Sequence, residues 1–91
     1  MKYSLILTSR FKKGMKRALK RGLDRSLMIT VVNTLLEGSP LDAKYKDHRL
    51  KGKLKGMREC HLNDNWLLVY TIENDSLTLT LIDTGTHEET L

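Results

Sequence analysis

Three histidines, His48, His61 and His87, are the side chains of this sequence best suited to proton transfer. The ordinary pKa of imidazole is about 6.5, so the ring both accepts and donates a proton around neutral pH. Cleavage of RNA by its own 2′-hydroxyl needs a base for the 2′ proton, an acid for the leaving 5′ oxygen and cations around the phosphorane. A single exposed histidine is more often an ordinary surface residue. Three of them beside a basic half of the chain favour RNA cleavage without settling it.

Other catalytic chemistry has little support in the sequence. There is no G-x-S-x-G elbow, Walker loop or dinucleotide fingerprint. Zinc would need the histidines and the single cysteine, Cys60, but Cys60 and His61 are neighbours on a predicted strand and their side chains leave opposite faces. No C-x-x-C or H-x-x-x-H pair places two ligands together. We therefore expect no metal site and no cofactor.

The charges are divided unevenly along the chain. All 16 Lys and Arg lie between Lys2 and Arg58, where only four acidic residues oppose them, so residues 1–58 carry +12. Residues 59–91 hold seven acidic residues and no Lys or Arg, so they carry −7. Such asymmetry predicts a basic surface for a polyanion, to which binding is driven by counterion release. The pattern fits equally well a solvated basic helix that only keeps the protein soluble.

Hydrophobic periodicity predicts a strand and two helices in the first forty residues. Lys2 to Leu7 is rich in β-forming residues, and apolar residues then recur at helical spacing in two stretches. The helix ends are marked by capping and stop residues, which are Thr8 or Ser9, Gly22, Asp24, Gly38 and Pro40. Because the turn between them is short, the two helices should form an antiparallel hairpin.

The second half reads as a polar, irregular segment followed by strands. Residues 41–55 lack a period, whereas strands are predicted at 57–62, 66–72 and 77–82, the middle one central because both of its faces are apolar. The order βααβββ predicts one α+β domain over residues 1–91, with the helical pair on one face of a mostly antiparallel sheet. One cysteine, no signal sequence and no apolar run long enough for a membrane span predict a cytoplasmic protein.

Four segments together resemble the YafQ-type toxins of the RelE/ParE superfamily. They are residues 45–52 (YKDHRLKG), 55–62 (KGMRECHL), 66–70 (WLLVY) and 84–87 (TGTH). The resemblance implies a RelE-like fold and the toxin of a type II toxin–antitoxin pair. It also implies an endoribonuclease that needs no metal and cuts mRNA in the ribosomal A site. The implied partners are the mRNA, the ribosome and an acidic antitoxin, which wraps the domain and links it to operator DNA.

The same resemblance assigns the site residues. It implies that His48, His61 and His87 are catalytic, with His87 as the acid. Asp64 is expected to act as a base or to orient a histidine, although the family's acidic residue directly precedes the tryptophan and Asn65 stands there in this chain. Trp66 matches a family aromatic near the site and is expected to contact RNA. Lys51, Lys53, Lys55 and Arg58 are expected to contact RNA because of their charge and not because of the resemblance. Strand alternation counts against Arg58, which should face away from His61, and Trp66 is equally well explained as a core residue.

Asp83 is the main departure from the family pattern, because relatives have an arginine there. An aspartate facing the scissile phosphate would repel it, or it would raise the pKa of a neighbouring histidine by favouring the cation. This leaves two alternatives to a nuclease. One is a ParE-like protein that poisons DNA gyrase by binding, since a fold does not determine a function. The other is a weakly active toxin that mainly binds its antitoxin and operator DNA.

Overall fold

Five strands and two helices make up the computed structural model, which describes residues 2–90. In chain order they are β1 (Ser4–Leu7), α1 (Ser9–Lys20), α2 (Arg25–Leu36), β2 (His48–Arg49), β3 (Arg58–Asn63), β4 (Trp66–Glu73) and β5 (Thr78–Gly85). Short 3-10 turns at Ala43–Tyr45 and Gly52–Leu54 interrupt the segment around β2. The predicted α+β class, with a helical pair on a mostly antiparallel sheet, is confirmed.

The sheet has the strand order β1-β5-β4-β3-β2. Among the strands of residues 2–90, β1 pairs in parallel with β5, and the other neighbours are antiparallel. Strand β4 lies at the centre, and Trp66 to Tyr70 are buried, as its apolar faces predicted. The edge strand β2 was missed by the sequence analysis, because two residues in a polar segment show no alternation.

Capping residues end the helices where the sequence predicts. The Thr8 hydroxyl accepts a hydrogen bond from the Phe11 amide, and the Asp24 carboxylate accepts one from the Ser26 amide. Gly22 and Gly38 have φ of +84° and +76°, a left-handed conformation that glycine adopts without strain. The apolar stripes of the helices, including Phe11, Ala18, Met28, Val31 and Leu35, pack against the sheet in one core.

Strand alternation gives the sheet two distinct faces. Cys60, Leu62, Leu68 and Tyr70 belong to the helix-packed core and define the helix face. Glu59, His61, Leu67 and Val69 alternate with them and define the histidine face.

A bulge at Ile82 re-aims the end of β5. Tyr70 pairs with Leu81, but Val69 pairs with Asp83, so Ile82 has no partner in this ladder. Because cross-strand partners share a face, the extra residue turns Asp83 toward the histidine face and Thr84 toward the core. The bulge therefore sets the direction in which the chain leaves the sheet toward His87.

Candidate active site

The fold brings the three histidines together from three separate segments. The ring centroids of His48, on β2, and His61, on β3, lie 6.2 Å apart. His87 follows β5, and its ring centroid lies 5.6 Å from that of His61, in an edge-on arrangement. His48 and His87 are exposed and His61 is partly exposed. Three imidazoles thus line one accessible surface, which is the arrangement that acid–base cleavage requires.

His48 is held by the main chain in a defined tautomer. Its Nδ1 lies 2.7 Å from the carbonyl oxygen of Lys46. A carbonyl only accepts, so Nδ1 carries the hydrogen in the neutral ring and Nε2 keeps its lone pair. Nε2 lies 3.5 Å from Oε1 of Glu59, which is the cross-strand partner of His48 in the β2–β3 pair.

Glu59 is a site residue that the sequence analysis missed. It is 7% exposed and lies opposite His48, two residues before His61 on the same face of β3. The E-x-H spacing on a predicted strand was the available signal. Burial lowers the pKa of His61, the Glu59 carboxylate opposes this, and His87, Lys46 and His48 add to the lowering. His61 is therefore mainly neutral at pH 7 and able to accept a proton.

Helix α1 anchors the turn that carries His87. The Glu89 carboxylate accepts hydrogen bonds from Arg21 Nη1 and Nη2 at 2.7 and 2.6 Å, and from the Thr86 amide at 3.0 Å. Hydrogen bonding from Arg21, followed by that from the Thr86 amide, lowers the pKa of Glu89 to about 2. The bidentate contact fixes direction as well as distance, so Glu89 ties the turn to the C-cap of α1 and closes it on the Thr86 amide, with His87 between the two.

Asp83 is buried and forms an ion pair with Arg10. It is 0% exposed, and it accepts hydrogen bonds from Arg10 Nε at 2.7 Å and from the Thr84 amide at 2.9 Å. Its negative charge is thus compensated, and it is not among the groups that shift the pKa of His61. Asp83 therefore does not stand at the site as an uncompensated negative charge. Arg10, half exposed, brings a cation to this end of β5.

Asp64 and His61 line the same cavity, and the lysines that line it with them are not the predicted ones. Asp64, His61, Lys44 and Lys46 line one cavity of about 260 Å³. Lys51 and Lys55 line a different hollow, together with Tyr3, Ile72 and Asn74, and Lys53 is exposed on the neighbouring 3-10 turn. The irregular segment gave no period from which to place Lys44 and Lys46.

Arg58 lies on the helix face, as alternation predicted. It pairs with Asp47 at 2.9 Å, and the Tyr70 hydroxyl donates to the same carboxylate. Hydrogen bonding to Asp47 raises the pKa of Arg58. Since Asp47 directly precedes β2, this network holds the strand that carries His48.

Trp66 is a core residue, and the prediction that it contacts RNA is wrong. Its side chain is 1% exposed, and its Nε1 donates to the Thr84 hydroxyl at 2.7 Å. That hydroxyl donates onward to the Leu67 carbonyl at 2.7 Å. The ring packs on the helix face because it alternates with Leu67, which faces the histidines.

Three of these side chains also form a possible metal-binding set. His48, Glu59 and His61 each offer one ligand atom, and these atoms lie within 4.8 Å of one another. Imidazole nitrogens and a carboxylate oxygen suit zinc or copper. Cysteine and histidine spacing alone does not reveal this set, because Glu59 is one of its ligands and His48 lies on a separate strand.

Comparison with known proteins identifies the family. A family model described as a bacterial toxin of type II toxin–antitoxin system, YafQ, matches residues 3–91. The chain belongs to the YafQ toxin family. The family resemblance noted in the sequence is thereby confirmed.

Relatives of the YafQ family match over nearly the whole chain. The mRNA interferase toxin YafQ of Escherichia coli K12 is 39% identical over 84 residues, covering 88% of this chain and 86% of that protein. A metal-bound toxin from Helicobacter pylori has a TM-score of 0.91 and 43% identity, covering 98% of this chain and 99% of that one. YafQ in the E. coli DinJ–YafQ complex has a TM-score of 0.86 and 32% identity, covering 94% of each chain. In residues 2–90 no helix is long and apolar enough to cross a membrane.

Proposed function

We propose that this chain is the toxin of a type II toxin–antitoxin pair and an endoribonuclease that cuts mRNA on the ribosome by histidine acid–base catalysis, without a metal. The convergence of three imidazoles with Glu59 on one accessible face is the observation that carries the proposal. The name of the E. coli relatives, mRNA interferase, supports the same reaction class.

The proposed reaction assigns an acceptor and a donor for the two protons that move. His61, whose pKa is lowered, takes the proton of the 2′-hydroxyl, and the 2′ oxygen attacks the adjacent phosphorus. The bond from phosphorus to the 5′ oxygen breaks, and the protonated His87 gives its proton to that oxygen. The products are a 2′,3′-cyclic phosphate and a 5′-hydroxyl. Glu59 lies 3.5 Å from Nε2 of His48 and so helps to hold that ring beside the other two histidines.

Lysine and arginine side chains would stabilise the negative charge of the phosphorane, as a divalent ion does in other nucleases. Lys46 is close enough to His61 to lower its pKa. Arg10 uses Nε on Asp83, and its side chain is 52% exposed, which leaves guanidinium N–H groups for a phosphate. Its Nη2 also lies 3.5 Å from the Glu89 carbonyl, so the guanidinium bridges positions on both sides of His87. Preorganised donors of this kind stabilise charge that develops in the transition state.

A bound metal would compete with this chemistry. A similar toxin from Helicobacter pylori is metal-bound, and we infer that in this chain His48, Glu59 and His61 would hold a metal ion. Their nitrogen and oxygen ligand atoms suit copper or zinc. The ion would occupy imidazole lone pairs that the reaction needs for protons. Added copper should therefore inhibit cleavage, and a chelator should leave the activity of metal-free protein unchanged.

An acidic antitoxin is the partner that the surface fits. The edge strand β1 and helix α2 expose apolar side chains, with Leu5 43%, Ile6 51% and Ile29 50% exposed. Leu5, Phe11, Met28 and Ile29 line an apolar groove of about 710 Å³, which the basic helix α1 borders. An amphipathic acidic segment that folds on binding matches this combination, and the E. coli relative is known in a complex with DinJ. Operator DNA would be reached through that antitoxin.

Cleavage on programmed ribosomes tests the proposed function. Wild-type protein should cut mRNA in the A site, and the His87→Ala variant should lose most of this activity while keeping its fold. Undiminished cleavage by His87→Ala would remove the acid assignment. Loss of DNA supercoiling in cells whose transcripts stay intact would instead support gyrase poisoning. Weak cutting by a well-folded wild-type protein that binds its antitoxin tightly would support the weakly active alternative.

A further inference from the structure

A basic hollow lies beyond the edge strand β2, on the other side from the histidines. Its volume is about 750 Å³, and it is lined by Arg49, Lys51, Lys55 and Arg58 over a floor that includes Tyr3 and Ile72. His48 and Arg49 are consecutive on β2, so they face opposite sides of the strand. His48 turns toward Glu59, and Arg49 turns toward the hollow. The two sites are thus separated by one edge strand.

The cations around this hollow are poorly compensated by the protein. No carboxylate is among the residues that line it, within the part of the chain that the structure describes. Arg49 and Arg58 are cross-strand partners, an arrangement of like charges that destabilises a sheet. Asp47 pairs with Arg58, while Arg49, Lys51 and Lys55 take part in none of the ion pairs found within residues 2–90. An anion bound here would relieve the repulsion.

The hollow also offers contacts that a simple anion would not use. Leu50, Met57 and Ile72 give it apolar surface. The Tyr3 hydroxyl donates to Asn74 Oδ1 at 2.6 Å, so the Asn74 side-chain amide keeps its N–H groups free to donate to a ligand. Cations for a phosphate, apolar surface for a base and an amide donor together suit a nucleotide of single-stranded RNA.

We propose that this hollow binds a phosphate and the adjoining nucleoside of the same RNA strand that is cut at the histidines, the strand passing over the edge of β2. The inference rests on the proposed nuclease function and adds a second RNA subsite to it. Lys51 and Lys55 line this hollow and not the histidine site, so their role would be to bind RNA and not to take part in the cleavage step.

Binding of uncleavable RNA tests the subsite separately from catalysis. The probes are a long single-stranded 2′-O-methyl oligonucleotide, which lacks the attacking hydroxyl, and a trinucleotide of the same chemistry. The variant Arg49→Gln/Lys51→Gln/Lys55→Gln changes three exposed residues, and Lys12→Gln/Lys13→Gln/Lys16→Gln removes the same charge from exposed positions of α1. Thermal unfolding checks that both variants fold, and each single substitution replaces the triple variant if it does not.

The hollow variant should bind the long oligonucleotide on the order of tenfold more weakly, and its salt slope should fall by about 2, as expected for three lost phosphate contacts. Trinucleotide binding at the histidines, followed through the NMR signals of the histidine rings, should stay unchanged, and the α1 variant should lose less affinity for the long probe. The proposal would be overturned if both variants lost the same affinity for the long probe, or if the hollow variant lost the same affinity for both probes. It would also be overturned if inorganic phosphate competed equally well with RNA when the hollow is mutated. A wild-type protein that binds through the hollow but cuts no RNA would refute the nuclease and leave the subsite standing.

Discussion

The two faces of the sheet differ in how their polar groups are used. In the core between the helices and strands β4 and β5, the polar side chains are buried and hydrogen-bonded, as in the chain of hydrogen bonds from Trp66 through Thr84 to the Leu67 carbonyl. Within residues 2–90 no buried side-chain nitrogen or oxygen lacks a hydrogen-bond partner. On the histidine face, the imidazoles of His48 and His87 are exposed. Adjacent residues of the same strands therefore serve stability on one side and proton transfer on the other.

Cys60 and His61 give the sharpest form of this comparison, because they are neighbours on β3. His61→Ala should lower cleavage by about 10²–10⁴-fold with little change in stability, since the lost group is an acid–base catalyst. Cys60→Ala should cost about 1 kcal/mol of unfolding free energy, because Cys60 is 0% exposed, and leave the activity of folded protein intact. Single-turnover cleavage and urea unfolding measure the two effects. The comparison breaks if Cys60→Ala inactivates a folded protein or if His61→Ala unfolds it.

Trp66 is the largest buried side chain of the helix face, so its substitution tests how much that face contributes to stability. Trp66→Ala should destabilise the fold by about 3–5 kcal/mol, because it removes a buried ring and leaves Thr84 without its donor. Trp66→Phe should recover much of this, since it restores apolar volume. At a temperature where the variants stay folded, cleavage per folded molecule should match wild type. Weak RNA binding by a fully folded Trp66→Phe would show that the ring contacts substrate after all.

Arg10 and Asp83 contribute to both stability and catalysis, because the buried Asp83 carboxylate holds the exposed Arg10 cation. Arg10→Ala should lower cleavage by roughly tenfold or more, and it should cost about 1 kcal/mol because Asp83 loses its partner, a value kept small by the exposure of Arg10. Arg10→Ala/Asp83→Asn should restore much of the stability without restoring cleavage. Recovery of cleavage in that double variant would show that the pair acts only on the fold.

The pH dependence gives the smallest expected effect. Because burial lowers the pKa of His61, the acid limb of the cleavage profile should have its midpoint below the ordinary value of about 6.5. Since Glu59 raises that pKa, Glu59→Gln should move the midpoint further down. Protonation of His61 favours the unfolded chain, so its contribution to stability is full above about pH 6.5 and is lost as the pH falls toward the lowered value. A midpoint above 6.5 would contradict the assignment of His61 as base.

Local signals account for the parts of the fold that the sequence predicts. Caps at Thr8 and Asp24 and the apolar stripes of α1 and α2 depend only on near neighbours, and so does the central strand β4. What the sequence did not predict depends on pairing across the sheet. The strand β2 and the closeness of Glu59 to His48 need the β2–β3 register, and the burial of Asp83 needs the bulge at Ile82. Lys46 reaches the site through a turn in a segment without any period.

The candidate site divides in the same way. The three histidines could be named from their chemistry and the family resemblance, although no spacing in the sequence shows that they meet. Trp66 was ambiguous because both faces of β4 are apolar, so a large aromatic side chain at the start of the strand fits either the core or a substrate contact. Arg58, in contrast, follows from simple alternation with His61, so its place on the helix face could be predicted.

The most direct test of the account is cleavage, in the presence of a chelator, of an mRNA with a single 2′-deoxy substitution at the scissile nucleotide. We expect the all-ribose mRNA to be cut without metal and its upstream fragment to end in a 2′,3′-cyclic phosphate. The 2′-deoxy mRNA should stay intact. Cutting of the 2′-deoxy mRNA, or cutting of the ribose mRNA only when a divalent ion is added, would contradict it.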